Sequence, residues 1–170
     1  MIEPLKHLNT VDVEQAKHAF LQCCTSIVWV EKMVSSRPYN SEEQLRNVAD
    51  KHWRGLNEAD YLEAFEGHPK IGDVNSLRAK YANTKALASG EQSSVAHADE
   101  STLTALAQGN SEYETRFGFI FIVCATGKSA NEMLALLQTR LPNRREQEIV
   151  NAAEEQRKIF QIRLNKLLEE

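Results

Sequence analysis

The sequence predicts an all-α protein, a single-domain helical bundle of about seven to nine helices over residues 1–170. Three observations favour this fold class. Apolar residues recur at helical spacing along most of the chain. The 7 glycines and 4 prolines fall almost entirely at plausible helix boundaries. Only one short run, residues 118–125, resembles a strand.

The first 33 residues are predicted to contain two helices, one that ends near Cys23 and one after it. Asn9 or Thr10 can cap a first helix that runs to about Cys23, because the apolar residues between them fall near one face. A short and largely apolar stretch over residues 27–33 then predicts a buried helix. The Ser-Ser-Arg-Pro sequence that follows marks its end.

Two further helices precede the first candidate site. Ser41, with a glutamine three residues later, has the spacing of a capping box for a helix through Trp53. Gly55 breaks that helix, and Asn57 can start the next one, which runs up to Gly67.

The second half of the chain is also predicted to be mainly helical. An alanine-rich helix over residues 93–109 is expected to break at Gly109 and to continue over residues 112–117. Another helix is predicted over residues 130–141. Asn143, with a glutamate at the capping-box position, is expected to open a long terminal helix.

Residues 118–125 form a continuous apolar run. The run predicts either a buried extended segment or the start of a helix, and periodicity does not decide between them. Cys124 lies within this run and is therefore interpreted as a core residue rather than a nucleophile. Gly127-Lys128-Ser129 follows, but the glycine that a phosphate-binding loop needs five residues earlier is Ile122, which argues against a nucleotide site.

The composition is that of a globular protein, with 42% apolar and 26% charged residues. A formal net charge of −4 argues against general binding to nucleic acid, and no apolar run approaches the length of a membrane span. Cys23, Cys24 and Cys124 lack a metal-binding spacing, and neighbouring Cys23 and Cys24 are poorly placed to bridge each other. Reduced thiols in the cytoplasm are the expectation.

His68 is the first candidate for chemistry. It lies between Gly67 and Pro69, just after a predicted helix C-terminus. Gly67 permits backbone angles that other residues avoid, and Pro69 disfavours helical angles at His68, so the imidazole is expected on an extended segment. The helix dipole would favour its protonated form. The alternative is a simple helix cap and turn with an exposed histidine.

Two other polar residues lie in surroundings that suggest a site. Glu91 follows a glycine in a stretch with few charges, and it is either a solvated carboxylate or a partner that raises the pKa of His68. Arg163 lies between apolar neighbours, and it either covers the surface with its stem or turns inward to bind a carboxylate or ureido oxygen. The histidines and Asp73 have no recognised metal spacing, so no metal is predicted.

Four motifs then occur in a fixed order: Gly-His-Pro-Lys-Ile-Gly at 67–72, Gly-Glu-Gln-Ser at 90–93, Phe-Gly-Phe-Ile-Phe-Ile-Val-Cys-Ala at 117–125 and Ile-Phe-Gln-Ile-Arg-Leu at 159–164. Together they resemble the 2-oxo-4-hydroxy-4-carboxy-5-ureidoimidazoline (OHCU) decarboxylase family, which completes the conversion of urate to (S)-allantoin. The resemblance covers nearly the whole chain. It implies an all-helical enzyme without cofactor or metal, commonly a homodimer, whose substrate is OHCU.

The resemblance implies that His68 and Glu91 are catalytic. The positions that it implies for substrate contacts are Pro69, Ala88, Ser89, Gln92, Phe121, Ile122, Val123, Cys124, Ala125 and Arg163. Family members often have serine where this chain has Ala88, and Ser89 next to it could substitute if the backbone shifts. His68 would donate a proton after first polarising the 4-hydroxyl, Glu91 would orient and charge His68, and Arg163 would anchor an oxygen of the substrate.

Two other classes of function compete with this interpretation. A metal-dependent amidohydrolase-like enzyme would need its histidines to converge and would be sensitive to chelators. A non-catalytic helical interaction module would need an exposed apolar stripe and would leave OHCU unchanged.

Overall fold

The structure is a computed structural model that describes residues 1–69, 75 and 100–169. The prediction of an all-α fold is confirmed, since the described part of the chain contains eight helices and no strand. In chain order the helices are α1 (Glu3–Thr10), α2 (Val13–Leu21), α3 (Ile27–Ser35), α4 (Glu42–Arg54), α5 (Glu58–Glu66), α6 (Glu100–Phe117), α7 (Ala130–Arg140) and α8 (Arg145–Glu169). Within the described ranges, no helix is both long and apolar enough to cross a membrane.

The N-terminal region forms two helices where the sequence predicted one up to Cys23. Asp12 caps α2, because its side chain accepts a 2.8 Å hydrogen bond from the backbone N–H of Gln15. Asn9 does not serve as that cap. Its side chain instead exchanges two 2.8 Å hydrogen bonds with the backbone of Tyr39 and so ties the end of α1 to a distant loop.

The predicted starts of α4 and α5 are confirmed. Ser41 accepts a 3.0 Å hydrogen bond from the backbone N–H of Gln44, although the Gln44 side chain bonds the backbone of Asn40 rather than that of Ser41. Asn57 and Asp60 form a complete capping box at the start of α5. These local side-chain bonds satisfy N–H groups that the first turn of a helix leaves without partners.

The chain divides into two compact units, of which the first comprises Met1–His68 and Ile149–Glu170. Its core is built around aromatic residues that are almost fully buried. The Trp29 ring lies 6.0 Å from that of Phe20 and 5.0 Å from that of Phe160, and the Trp53 ring lies 5.6 Å from that of Phe160. The indole of Trp53 also donates a 3.0 Å hydrogen bond to the carbonyl of Ala153 on α8. These contacts hold the greater part of α8 against α3 and α4.

The second unit comprises Pro69–Glu148, and within it α6 packs on α7. The break expected at Gly109 is wrong, because α6 runs without interruption through that residue. A Cβ at Gly109 would lie 2.5 Å from Cδ2 of Leu137, so the glycine serves close packing between the two helices. Residues 118–125 form neither a helix nor a strand.

Candidate active site

His68 follows α5 at a point where the chain packs closely on another loop. Gly67 caps α5 with φ of −73°, so the expectation of an unusual backbone conformation is wrong. The glycine is needed for space, because a Cβ there would lie 2.1 Å from Oγ1 of Thr25. Thr25 donates bonds of 3.3 Å to the carbonyls of Glu63 and Ala64 near the end of α5. This close approach determines where His68 leaves the helix.

The imidazole of His68 is half-buried and contacts a residue that is 88 positions away in the chain. Its Nε2 shares a hydrogen bond with Oε1 of Gln156 on α8. Gln156 is only 1% exposed, and its Nε2 has no hydrogen-bond partner among the described residues. Sequence reasoning missed Gln156 entirely. The only available signal was a glutamine seven residues before Arg163, which places both on one face of α8.

The pKa of His68 is lowered from its ordinary value of 6.5. Burial is the main cause, because it penalises the charged imidazolium. The hydrogen bond to Gln156 acts in the opposite direction, and the positive charge of Arg163 lowers the pKa further. The expectation that the helix dipole would favour the protonated imidazole is therefore wrong, since burial outweighs it. Burial thus favours the neutral imidazole.

Arg163 lies in the same unit and turns toward the chain between α2 and α3. Its Nη1 donates a 3.4 Å hydrogen bond to the carbonyl of Cys23, and its side chain is half-buried. The guanidinium is close enough to lower the pKa values of His68 and Cys23, although burial still raises the pKa of Cys23 to about 12. The first unit thus brings His68, Gln156 and Arg163 together.

The segment of residues 121–125 belongs to the second unit. Ile122 and Cys124 are buried, and their carbonyls accept hydrogen bonds of 2.7 Å from Nη1 of Arg140 and Nζ of Lys128. The guanidinium of Arg140 also lies over the Phe121 ring, 4.6 Å from its centroid. Arg140 and Lys128 therefore hold a segment that has no regular secondary structure of its own.

Arg140 is part of a buried polar network that the sequence analysis did not identify. Its Nε donates a 2.7 Å hydrogen bond to Glu148, which is fully buried. The same carboxylate accepts hydrogen bonds from the hydroxyl of Tyr113 and from the amide of Asn143. Burial and the neighbouring carboxylate raise the pKa of Tyr113. One signal was available, because Arg140 continues the buried face of α7 formed by Met133 and Leu137.

The remaining predicted site residues divide into two groups. Pro69 follows His68 and is exposed. Ala88, Ser89, Glu91 and Gln92 lie outside the described residues, so the pairing of His68 with Glu91 stays a prediction.

Among residues 1–69, 75 and 100–169, no three His, Cys, Asp or Glu side chains are grouped closely enough to hold a metal ion.

Residues 9–165 match the family described as OHCU decarboxylase. The chain is 37% identical over 145 residues to the uric acid degradation bifunctional protein TTL of Arabidopsis thaliana, covering 85% of this chain and 45% of that protein. It is 26% identical to the 2-oxo-4-hydroxy-4-carboxy-5-ureidoimidazoline decarboxylase of Haloferax volcanii, covering 94% and 93% of the two chains.

A solved structure supports the same assignment. The crystal structure of an OHCU decarboxylase in the presence of (S)-allantoin is similar with a TM-score of 0.72 and 33% sequence identity, covering 94% of this chain and all of that one. The chain spans less than half the length of the plant relative, which is named as bifunctional. The family match nevertheless covers nearly all of the residues, and the chain belongs to the OHCU decarboxylase family.

Proposed function

We propose that this chain decarboxylates OHCU to (S)-allantoin. The observation that carries the proposal is the arrangement of His68, Gln156 and Arg163. A buried amide holds the imidazole, and a guanidinium lies two turns further along the same helix as that amide. Membership of the OHCU decarboxylase family supports the substrate class. The family match over residues 9–165 also supports treating residues 1–170 as one decarboxylase domain.

The reaction suits a site that has only amino-acid side chains. The carboxylate of OHCU is attached to a ring carbon next to a C=N bond. When the carbon–carboxylate bond breaks, CO2 leaves and the electron pair moves toward that nitrogen, which takes up a proton from water and leaves an enol. The enol hydroxyl then loses its proton while the adjacent carbon gains one. The substrate itself accepts the electrons, so the proposal includes no cofactor and no metal.

His68 is suited to moving the proton of the hydroxyl group. An amide oxygen only accepts hydrogen bonds, so the Nε2 that faces Gln156 carries a hydrogen. In the neutral ring Nδ1 then has a free lone pair and can take the hydroxyl proton. The imidazolium so formed can deliver a proton to one face of the ring carbon. Delivery to one face accounts for a single enantiomer of allantoin.

Arg163 is proposed to bind an anionic or carbonyl oxygen of the substrate. Its guanidinium has five donors, and only one contact, to the carbonyl of Cys23, is made by described residues. A planar fork matches the geometry of a carboxylate or a ureido group. Glu91, expected to orient and charge His68, would act in this scheme by stabilising the imidazolium once it has formed. This role and the other implied substrate contacts belong to the same proposal.

We extend the proposal to the state of the protein in the cell. A homodimer in the cytoplasm is expected, and the buried thiols of Cys23, Cys24 and Cys124, which form no disulfide, are consistent with a reducing compartment.

The test is stereochemical. OHCU is generated from urate in situ, and the optical activity of the allantoin formed is followed with and without the protein, in the presence and absence of EDTA. Faster loss of OHCU with formation of (S)-allantoin is expected under both conditions. Racemic allantoin formed at the uncatalysed rate would reject the activity. Activity abolished by EDTA would reject the metal-free part.

A further inference from the structure

The buried amide of Gln156 is energetically unusual. Its Oε1 bonds His68, whereas its Nε2 is buried and has no partner in the described part of the chain. A buried donor without an acceptor lowers folding stability, and an apolar side chain of similar volume would avoid that loss. Packing alone therefore does not account for a glutamine here. Oε1, which accepts a hydrogen bond from His68, is therefore the atom through which Gln156 acts.

We propose that Gln156 is a positioning residue that holds the hydrogen of His68 on Nε2 and thereby presents the lone pair of Nδ1 to the substrate. The inference rests on the proposed function in so far as His68 is taken to be catalytic. The geometric part, in which Gln156 determines the tautomer of His68, does not depend on the substrate.

The physical argument begins with hydrogen-bonding capacity. A histidine ring nitrogen within hydrogen-bond distance of an amide oxygen must donate, because that oxygen has no hydrogen. A neutral imidazole carries a single N–H, so the opposite nitrogen must be unprotonated. An imidazole free in water has no such constraint and exchanges between its two tautomers. The hydrogen bond to Gln156 therefore selects one of the two tautomers before any substrate binds.

The position of Gln156 on α8 supports a role in orienting the ring. It lies seven residues before Arg163, so the two side chains project from one face of the helix. The surrounding helix is held firmly, because Trp53 bonds the carbonyl of Ala153 and Phe160 packs on Trp29. A buried amide on a rigid helix fixes the direction of its oxygen, and with it the plane of the His68 ring.

The experiment compares Gln156→Leu and Gln156→Glu with the control Gln161→Leu. Gln161 lies on the same helix and bonds Asp50 and the carbonyl of Arg46, away from His68. The tautomer and pKa of His68 are read from ¹⁵N chemical shifts of the folded protein, with His68→Asn used to assign the signal. Values of kcat and KM are measured with OHCU formed from urate.

In the wild type the shifts are expected to show a protonated Nε2. Gln156→Leu should give a mixture of tautomers, a KM close to that of the wild type and a kcat lower by about tenfold or more, because a misplaced catalytic group can cost about 10²-fold in rate. Gln156→Glu should keep the Nε2 hydrogen, raise the pKa of His68 and move the pH–rate profile to higher pH. Gln161→Leu should leave the tautomer and kcat unchanged.

Two results would overturn the inference: a protonated Nδ1 in the wild type, or wild-type shifts and kcat in Gln156→Leu. Gln156→Met replaces Gln156→Leu if the latter does not fold. If the wild type has no effect on OHCU, the proposed function fails. The ¹⁵N chemical shifts of His68 still decide whether Gln156 sets its tautomer.

Discussion

Nε of Arg140 donates a 2.7 Å hydrogen bond to the carboxylate of Glu148, and both side chains are almost completely buried. The same guanidinium bonds the carbonyl of Ile122. Two buried charges therefore neutralise each other while supporting a segment that has no secondary structure. Taking ions out of water is costly, so such a pair is stable only when its remaining hydrogen-bonding groups are also satisfied.

Removing one member of this pair should destabilise the protein strongly. Arg140→Met leaves the Glu148 carboxylate buried without its cation, and we expect a loss of about 3–5 kcal/mol in the free energy of unfolding, measured with urea. Arg140→Met combined with Glu148→Leu should recover much of that loss. As a control, Glu3→Gln in the exposed pair with Lys6 should cost less than about 1 kcal/mol. A loss in Arg140→Met no larger than in the control would contradict this account.

Gly67 should not tolerate a side chain. In Gly67→Ala the new Cβ would overlap Oγ1 of Thr25, and we expect overpacking to cost about 1–3 kcal/mol of unfolding free energy. The matched control is Gly55→Ala, because a Cβ there would be 3.8 Å from its nearest neighbours. The companion change Thr25→Gly should relieve the overlap in Gly67→Ala. Equal stability of the two glycine variants would mean that the loop moves away freely.

The stability of the protein should depend on the titration of His68. Because burial lowers its folded-state pKa below 6.5, the unfolded chain binds more protons at mildly acidic pH. The contribution of His68 to stability is therefore fully present above pH 6.5 and is lost as the pH falls below that value. Urea unfolding between pH 7.5 and 5.5 should show a weaker pH dependence in His68→Asn than in the wild type. Parallel curves for the two proteins would show that His68 has no such linkage.

His68 and Glu91 should act as one unit. His68→Asn and Glu91→Gln are each expected to lower kcat by about 10²–10⁴, the range typical for loss of an acid–base group. The double variant should be little slower than the slower single variant. His18→Asn, an exposed histidine on α2, is the control and should keep wild-type kcat. Full activity in folded His68→Asn would remove His68 from the mechanism, and additive losses would show that Glu91 acts independently of it.

Arg163 should not be replaceable by lysine. A point charge does not reproduce a planar fork of donors, so Arg163→Lys is expected to impair turnover nearly as much as Arg163→Ala. Arg157→Lys on the same helix serves as the control, since Arg157 makes ion pairs with Glu154 and Asp50 near the surface. Wild-type kcat and KM in Arg163→Lys would show that the arginine only packs against the chain near Cys23.

Several features were determined by the sequence itself. Asn57 and Ser41 begin helices at the predicted positions, because a cap is formed by side chains bonding the backbone two or three residues away. The all-α fold followed from apolar periodicity along the chain. The order of four motifs indicated the family. Each of these signals lies in short segments, so each could be recognised without knowledge of the packing.

Only the tertiary structure decided which distant residues meet. The contact of His68 with Gln156 spans 88 positions, and the bond of Arg140 to the carbonyl of Ile122 depends on how α7 packs beside that segment. Gly67 illustrates the same limit, since a glycine after a helix predicts an unusual backbone angle, whereas here it makes room for Thr25. Burial likewise lowered the pKa of His68 against the helix dipole. Burial and long-range contacts arise when separate segments pack together, and local sequence does not specify that packing.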